Sequence, residues 1–252
     1  MARFPFGIPF GWYPVAWSSD LAPGAIEKRR YFYRDLVLYR GEEGAAHVLG
    51  AYCPHLGAHL AVGGKVEGDT IRCPFHGWRF DGDGACVEIP YAKRKPANAR
   101  TEALPCREQG GVVWAWYHPK GETPQFYPPA IPEFGAKDWT VDWTPYEWTI
   151  ATHPQEVAEN SVDWPHFHEV HLMEPPPSRE VRFEGHEILW EASTSKNVTT
   201  LDGATDEIRV IGRNPGLGSS YVRYTGMGES VIIMGMTPID NDTMHMLSLI
   251  HI

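Results

Sequence analysis

Apolar and polar positions alternate in short runs along most of the chain, and Gly, Pro and Asp bound the runs. Residues 12–50 read "WYPVAW", a turn at "LAPG", then "RRYFYRDLVLYRG" and "AHVLGAYC". The alternation in "YFYRDLVLY" predicts one half-buried strand. "AVGGKVEGDTIRC" predicts a hairpin with Gly turns, and "FDGDGACVEIPY" a second one with a D-G-D-G turn. "GGVVWAWYH" at 110–118 predicts a further strand, so residues 12–120 form an all-β module. The stretch "PKGETPQFYPPAIPEFG" at 119–135 holds too much Pro for regular structure and predicts an extended connector. Beyond it the period changes. "HPQEVAENSVDWPHFHEVHL" at 153–172 predicts a helix. Residues 179–252 return to strands: "EVRFEGHEILWEAST", "DEIRVIG", "SYVRYTG", "ESVIIMGMTPI" and "TMHMLSLIHI". The second region is a sheet with a helix beside it, an α+β arrangement.

Composition narrows the function classes. The 252 residues carry a net charge of -10, with "KRK" at 93–95 isolated and no basic arm, which argues against nucleic acid as a partner. The opening "MARFPFGIPFGWYP" is broken by Pro and Gly and lacks the apolar core of a secretory signal. No stretch has the length of a membrane-spanning helix, so the expected compartment is the cytoplasm. A disulfide framework does not suit four cysteines in such a chain. Cys86 and Cys106 lie at strand ends and read as structural thiols. Cys53 and Cys73 belong to something else.

"CPHLG" at 53–57 and "CPFHGW" at 73–78 each set a Cys and a His on a loop of Pro and Gly. The full pattern is Cys53-x-His55, seventeen residues, then Cys73-x-x-His76. Two ligand sets fit it. One is tetrahedral structural zinc. The other is a two-iron, two-sulfide cluster whose irons take two thiolates and two imidazoles respectively. The loop chemistry favours the cluster. Gly57 and Gly77 permit close backbone approach to sulfur, Pro54 and Pro74 stiffen the tips, and Trp78 covers one side. The chain also continues into strands, where a zinc knuckle usually leads to a helix.

The predicted helix holds "ENSVDWPHFHEVH", in which Asp163, His166 and His171 form D-x-x-H-x4-H. At about 100° per residue, positions 166 and 171 stand about 140° apart on a straight helix. They share a metal only where the helix bends or ends between them, and Pro165 is a local cause of distortion. His168 and His171 pair better on an ideal helix. Two His and a carboxylate with open positions is the iron(II) arrangement that activates oxygen.

The paired loops, extended through "GWRFDGDG", resemble those of the Rieske family. Respiratory-complex members add a bridged Cys to each loop. Ala58 and Phe75 stand at those places here, and Trp78 replaces a hydroxyl donor. Fewer hydrogen bonds to sulfur predict a low cluster potential. The order of Rieske module, connector and N-x-x-D-x-x-H-x4-H resembles the oxygenase component of the Rieske non-haem iron oxygenases. "IRCPFHGWRFDGDGACVEIPYAKRKPANAR", "VVWAWYHPKGETP", "RFEGHEILWEAST" and "NPGLGSSYVRYTG" resemble the steroid-oxidising branch of ketosteroid 9α-hydroxylases and cholesterol desaturases.

The resemblance implies an all-β Rieske domain over 1–120, a connector over 121–135, and a partial, helix-grip-like α+β domain over 136–252. It implies a [2Fe-2S] cluster on Cys53, His55, Cys73 and His76, and a mononuclear Fe(II) on His166 and His171. Asp163 becomes a bridge to a cluster-ligating His of the adjacent subunit, and Asn160 a residue near the iron. His168 stays outside the ligand set. The implied partners are a flavin or iron–sulfur reductase using NAD(P)H, O2, a small apolar substrate of steroid type, and two further copies in a homotrimer. The implied reaction is hydroxylation or desaturation. An aromatic-ring hydroxylase, or a Rieske electron carrier with an incomplete iron site, is the alternative. The family's third iron ligand is a downstream carboxylate. Asp202, Asp206, Asp240 and Asp242 all read as turn residues, so the expectation is a chain truncated within its final sheet, leaving an open edge.

Overall fold

The computed structural model describes residues 4–139, 144–170, 178–199, 205–226 and 228–251. Two compact units divide between Pro128 and Pro129.

The first unit is all β. Its strands are β1 (Gly11–Trp17), β2 (Ile26–Tyr31), β3 (Arg34–Arg40), β4 (Ala46–Gly50), β5 (Lys65–Glu67), β6 (Thr70–Arg72), β7 (Arg79–Phe80), β8 (Cys86–Glu88), β9 (Ala103–Leu104), β10 (Cys106–Gln109) and β11 (Val112–Tyr117). They form three antiparallel sheets, ordered β1-β11-β10, β2-β3-β4-β9 and β5-β6-β7-β8. β1 and β11 are buried almost throughout, with Trp12, Trp114 and Trp116 at 0–1% exposure. Removing such a ring costs about 3–5 kcal/mol, so this pair anchors the unit.

"YFYRDLVLY" is not one strand. Phe32 and Tyr33 take φ of 55° and 62° and form the tight turn between β2 and β3. Aromatic residues disfavour this left-handed region, and tertiary packing overrides the preference. The Phe32 ring stacks on Tyr117 at 4.5 Å and meets Tyr13 at 5.2 Å. The two expected hairpins do form, as β5–β6 and β7–β8. In the second, Asp81 Oδ1 accepts from the N–H groups of Asp83 and Ala85 and closes the turn.

The Pro-rich stretch carries no strand or helix, as expected, but its first half does not hang free. Trp12 Nε1 donates to Phe126 O at 2.7 Å and Trp116 Nε1 to Glu122 O at 2.9 Å.

The second unit holds β12 (Thr144–Ile150), α1 (Pro154–Asn160), α2 (Trp164–Glu169), β13 (Ser178–Glu184), β14 (Glu187–Thr199), β15 (Thr205–Pro215), β16 (Ser219–Thr225), β17 (Ser230–Pro238) and β18 (Met244–His251). The seven strands make one antiparallel sheet, ordered β12-β18-β17-β16-β15-β14-β13. β12 escaped the sequence reading, and it corrects the expectation of an open edge at the last strand. β18 pairs with β12 on one side and β17 on the other. Pro145 lies in β12, an outer strand, where a residue without an N–H is tolerated. Glu133, buried in this unit, accepts from the Tyr221 hydroxyl at 2.7 Å and so ties the second half of the connector to β16.

The helix expected over 153–172 is two short helices. α1 starts on Pro154, with His153 as its cap: the His153 Nδ1 accepts from Gln155 N at 3.1 Å. It ends at Ser161, and a new helix begins after Asp163 with Pro165 in its first turn, where a missing N–H costs nothing. Among the described residues, no helix is long and apolar enough to cross a membrane.

Candidate functional site

The first candidate site is built by two loops that are one backbone made twice. In the loop between β4 and β5, Cys53 N donates to Ala58 O and Gly57 N to Cys53 O, both at 2.9 Å. In the loop between β6 and β7, Cys73 N donates to Trp78 O at 2.8 Å and Gly77 N to Cys73 O at 3.1 Å. The offsets match residue for residue. Four residues after each Cys stands a Gly with positive φ, 73° at Gly57 and 71° at Gly77, a conformation side chains strain to adopt. The repeated glycine thus follows from the repeated loop.

The loops bring the four predicted residues together in pairs. Cys53 and Cys73 are buried in one core with Leu49, Leu60, Ile71 and Phe80. The Cys53 thiol is pushed up to about 11, first by burial and further by the adjacent Cys73, while N–H groups of His55 and Leu56 point at its sulfur and pull the other way. The His55 and His76 rings meet edge to face at 4.7 Å. Trp78 does cover one side. Its indole stacks on His55 at 4.6 Å and 7°, and its Nε1 donates to the Tyr91 hydroxyl at 2.8 Å.

The His55 Nδ1 is buried with no hydrogen-bond partner. An unmet polar atom in that setting costs about 1–3 kcal/mol, and ligation of a metal removes the cost. Two close thiols, two close imidazoles, an unmet ring nitrogen and N–H groups aimed at sulfur fit a two-iron, two-sulfide cluster. Cys86 and Cys106 stand apart at the starts of β8 and β10, and all four cysteines are free.

The second candidate site lies in the other unit. α1 and α2 cover a cavity of about 540 Å³ against the sheet. Asn160 from α1 and His166 from α2 line it, with Trp190, Val222, Ile232, Met234 and Met246 as apolar wall. Asp163 is exposed between the helices and does not cap α2 with its side chain. α2 ends at Glu169, so the helix stops between positions 166 and 171, the condition that a shared metal requires. His171 itself lies outside the described residues, as does Asp202. Asp240 and Asp242 do occupy a turn, where Asp242 N donates to Asp240 Oδ1 at 2.9 Å. Asp206 does not: it stands in β15, paired with Val198 of β14.

The residues that position the helices were not visible in the sequence. Trp190 Nε1 donates to Asn214 Oδ1 at 3.3 Å, Asn214 Nδ2 to Ser161 Oγ at 3.4 Å, and Ser161 Oγ to Val157 O at 3.3 Å. This chain runs from the sheet into the end of α1. Trp164 of α2 packs edge-on against the same Trp190 at 6.1 Å. Trp190 lies flat over its cross-strand partner Gly212, where an added Cβ would stand 1.7 Å from the indole. The sequence signals were an Asn and a Gly at cross-strand positions of a buried face. Neither has meaning before the register is known.

Comparison with known proteins assigns each part of the chain to a domain family. A Rieske [2Fe-2S] domain model matches residues 11–107, and a 3-ketosteroid 9α-hydroxylase C-terminal domain model matches residues 115–252. The chain is 34% identical over 258 residues to cholesterol 7-desaturase of Xenopus laevis, across 92% of this chain and 57% of that protein. It is 38% identical over 182 residues to a 3-ketosteroid-9-alpha-monooxygenase oxygenase component of Rhodococcus rhodochrous, across 70% and 47%. The chain thus spans about half the length of these curated relatives. Among solved structures it resembles dicamba monooxygenase, with a TM-score of 0.75 at 20% identity over 96% of this chain and 75% of that one. The Pseudomonas putida CBB5 protein NdmB gives 0.75 at 21% over 95% and 73%. These likenesses show a shared fold. The two domain matches, which together cover nearly the whole sequence, show that the chain belongs to the Rieske oxygenase family, in the branch with a 3-ketosteroid 9α-hydroxylase C-terminal domain.

Proposed function

We propose that this chain is the terminal oxygenase component of a multi-component system that hydroxylates or desaturates an apolar substrate of steroid type. The observation that carries the reading is the cavity: Asn160 and His166 line the same space as a wall of aliphatic and aromatic side chains. Its volume of about 540 Å³ falls within the range of small-molecule sites, ~300–1,000 Å³. The relatives named for cholesterol and 3-ketosteroids support the substrate class.

When bound, the cluster supplies single electrons and a mononuclear iron supplies oxygen activation. The rest is the work of the protein. Cys53, His55, Cys73 and His76 hold the cluster, and Trp78 fixes the plane of His55. His166 and His171 would hold the iron, and Asn160 lines the same cavity as His166. The Trp190–Asn214–Ser161 chain keeps α1 and α2 in place over the cavity, and the apolar wall excludes water around the reacting carbon. Asp163, exposed and not spent on capping, is available to bridge to a neighbouring copy in a homotrimer. A reductase that draws on NAD(P)H is the electron source, and the cytoplasm is the expected compartment.

The test is a single turnover. Reduced protein is mixed with O2 and androstanone, and the steroid is analysed by mass spectrometry. A product with one oxygen added, or two hydrogens lost, is expected. Oxidation of the cluster with no change in any steroid or aromatic probe would leave the chain as an electron carrier.

A further inference from the structure

The sheet wall of the cavity, with Val222, Ile232, Met234 and Met246, carries a hydroxyl that those apolar neighbours do not explain. On β16 the side chains alternate between faces. Ser220, Val222 and Tyr224 line the cavity. Tyr221 and Arg223, between them, both reach Glu133. Ser220 is only 1% exposed, and its Oγ is buried without a hydrogen-bond partner. Its cross-strand partner is Met234, which also lines the cavity. A thioether sulfur is a poor acceptor and no donor, so the neighbour cannot satisfy the hydroxyl.

A buried hydroxyl without a partner is a cost that an Ala at the same place would avoid. The group is one O–H donor and two acceptor lone pairs. It therefore matches a single ketone or hydroxyl oxygen on a ligand whose neighbouring atoms meet Val222 and Met234 on the same wall. We propose that Ser220 Oγ is the anchor for one oxygen of the substrate, and that it selects mono-oxygenated apolar ligands over the parent hydrocarbon and orients them. The proposal rests on reading the cavity as the substrate site.

The test compares two ligands on two proteins. Binding of androstanone and of androstane, its parent hydrocarbon, is measured by tryptophan quenching on the wild-type chain and on Ser220→Ala. Loss of one neutral hydrogen bond weakens the ketone by about three- to tenfold, and the hydrocarbon is unchanged. Ser220→Thr, which keeps the hydroxyl, restores most of the ketone affinity. The ligand-free Tm of Ser220→Ala holds at or rises above the wild-type value, because no bond within the protein is broken and an unmet buried hydroxyl is removed. An equal change for both ligands, no change for either, or a clear fall in Tm would assign the hydroxyl to water or to a protein partner and overturn the proposal. In those cases the cavity would still stand as a ligand site. Failure of the wild-type chain to bind either steroid would overturn both the cavity reading and the anchor.

Discussion

Asn214→Ala is the sharpest test of how the sheet positions the two helices. Asn214 is 1% exposed and has both amide atoms engaged, with Trp190 on one side and Ser161 on the other. The substitution removes the acceptor that Asn214 offers the Trp190 indole N–H and the donor that it offers Ser161. Each such loss costs about 1–3 kcal/mol. The bonds are long, at 3.3 and 3.4 Å, so the low end applies. With the packing lost from the truncated amide, the total is about 2–3 kcal/mol. For a domain of roughly 120 residues this lowers Tm by about 8–12 °C. The assay is thermal unfolding read by a probe of the second unit, with Ser161→Ala and the double variant completing a cycle. Less-than-additive losses, coupled by about 0.5–1.5 kcal/mol, are expected. Iron held at the second site should fall as well, because α1 and α2 lose their common support. A Tm shift under about 2 °C, or strict additivity, would refute the account of the network.

Trp78→Leu removes the ring stacked on His55, and cluster affinity should fall about 10–100-fold, read as iron and sulfide per chain; Trp78→Phe, which keeps a stacking ring, should retain most of it. Gly212→Ala drives a methyl into Trp190 and should cost about 1–3 kcal/mol, with steroid binding weakened in parallel. Burial holds the His153 imidazole below its ordinary value, and the smaller pull of Glu156 and Asp242 upward is outweighed. The folded domain thus favours the neutral ring that caps α1. That stability is whole above the unfolded value of about 6.5 and is lost as pH falls through the lower folded value. The second domain should lose about 1 kcal/mol on acidification, and His153→Asn, a cap that does not titrate, should flatten the dependence.

What the sequence made legible follows from where the chemistry is local. A cluster needs particular residues at particular spacings, so Cys53, His55, Cys73 and His76 announced themselves, and the repeated Gly followed from a repeated turn. The β pattern was equally open in β11 and β17, whose side chains are buried or alternate. Non-local features stayed hidden. Phe32 and Tyr33 form a turn because Tyr117 and Tyr13 receive the Phe32 ring, which no local propensity reports. β12 has Pro145 and exposed Tyr146 and Trp148, and is a strand because β18 supplies its partner. The break at Ser161–Asp163 was foreshadowed by Pro165, but its place is set by Ser161 meeting Asn214. Ser220 read as an ordinary strand residue, and only burial and register give it a role.

The central claim is that two matched loops hold a two-iron, two-sulfide cluster through paired thiolates and paired imidazoles. Its most direct test is the iron and acid-labile sulfide content of anaerobically purified protein, with an EPR spectrum of the reduced form. The account predicts about two sulfides per chain, about two irons at the loops with a further iron at the second site, and a Rieske-type signal that Cys73→Ser abolishes. Zinc in place of iron, with no sulfide and no signal, would contradict it.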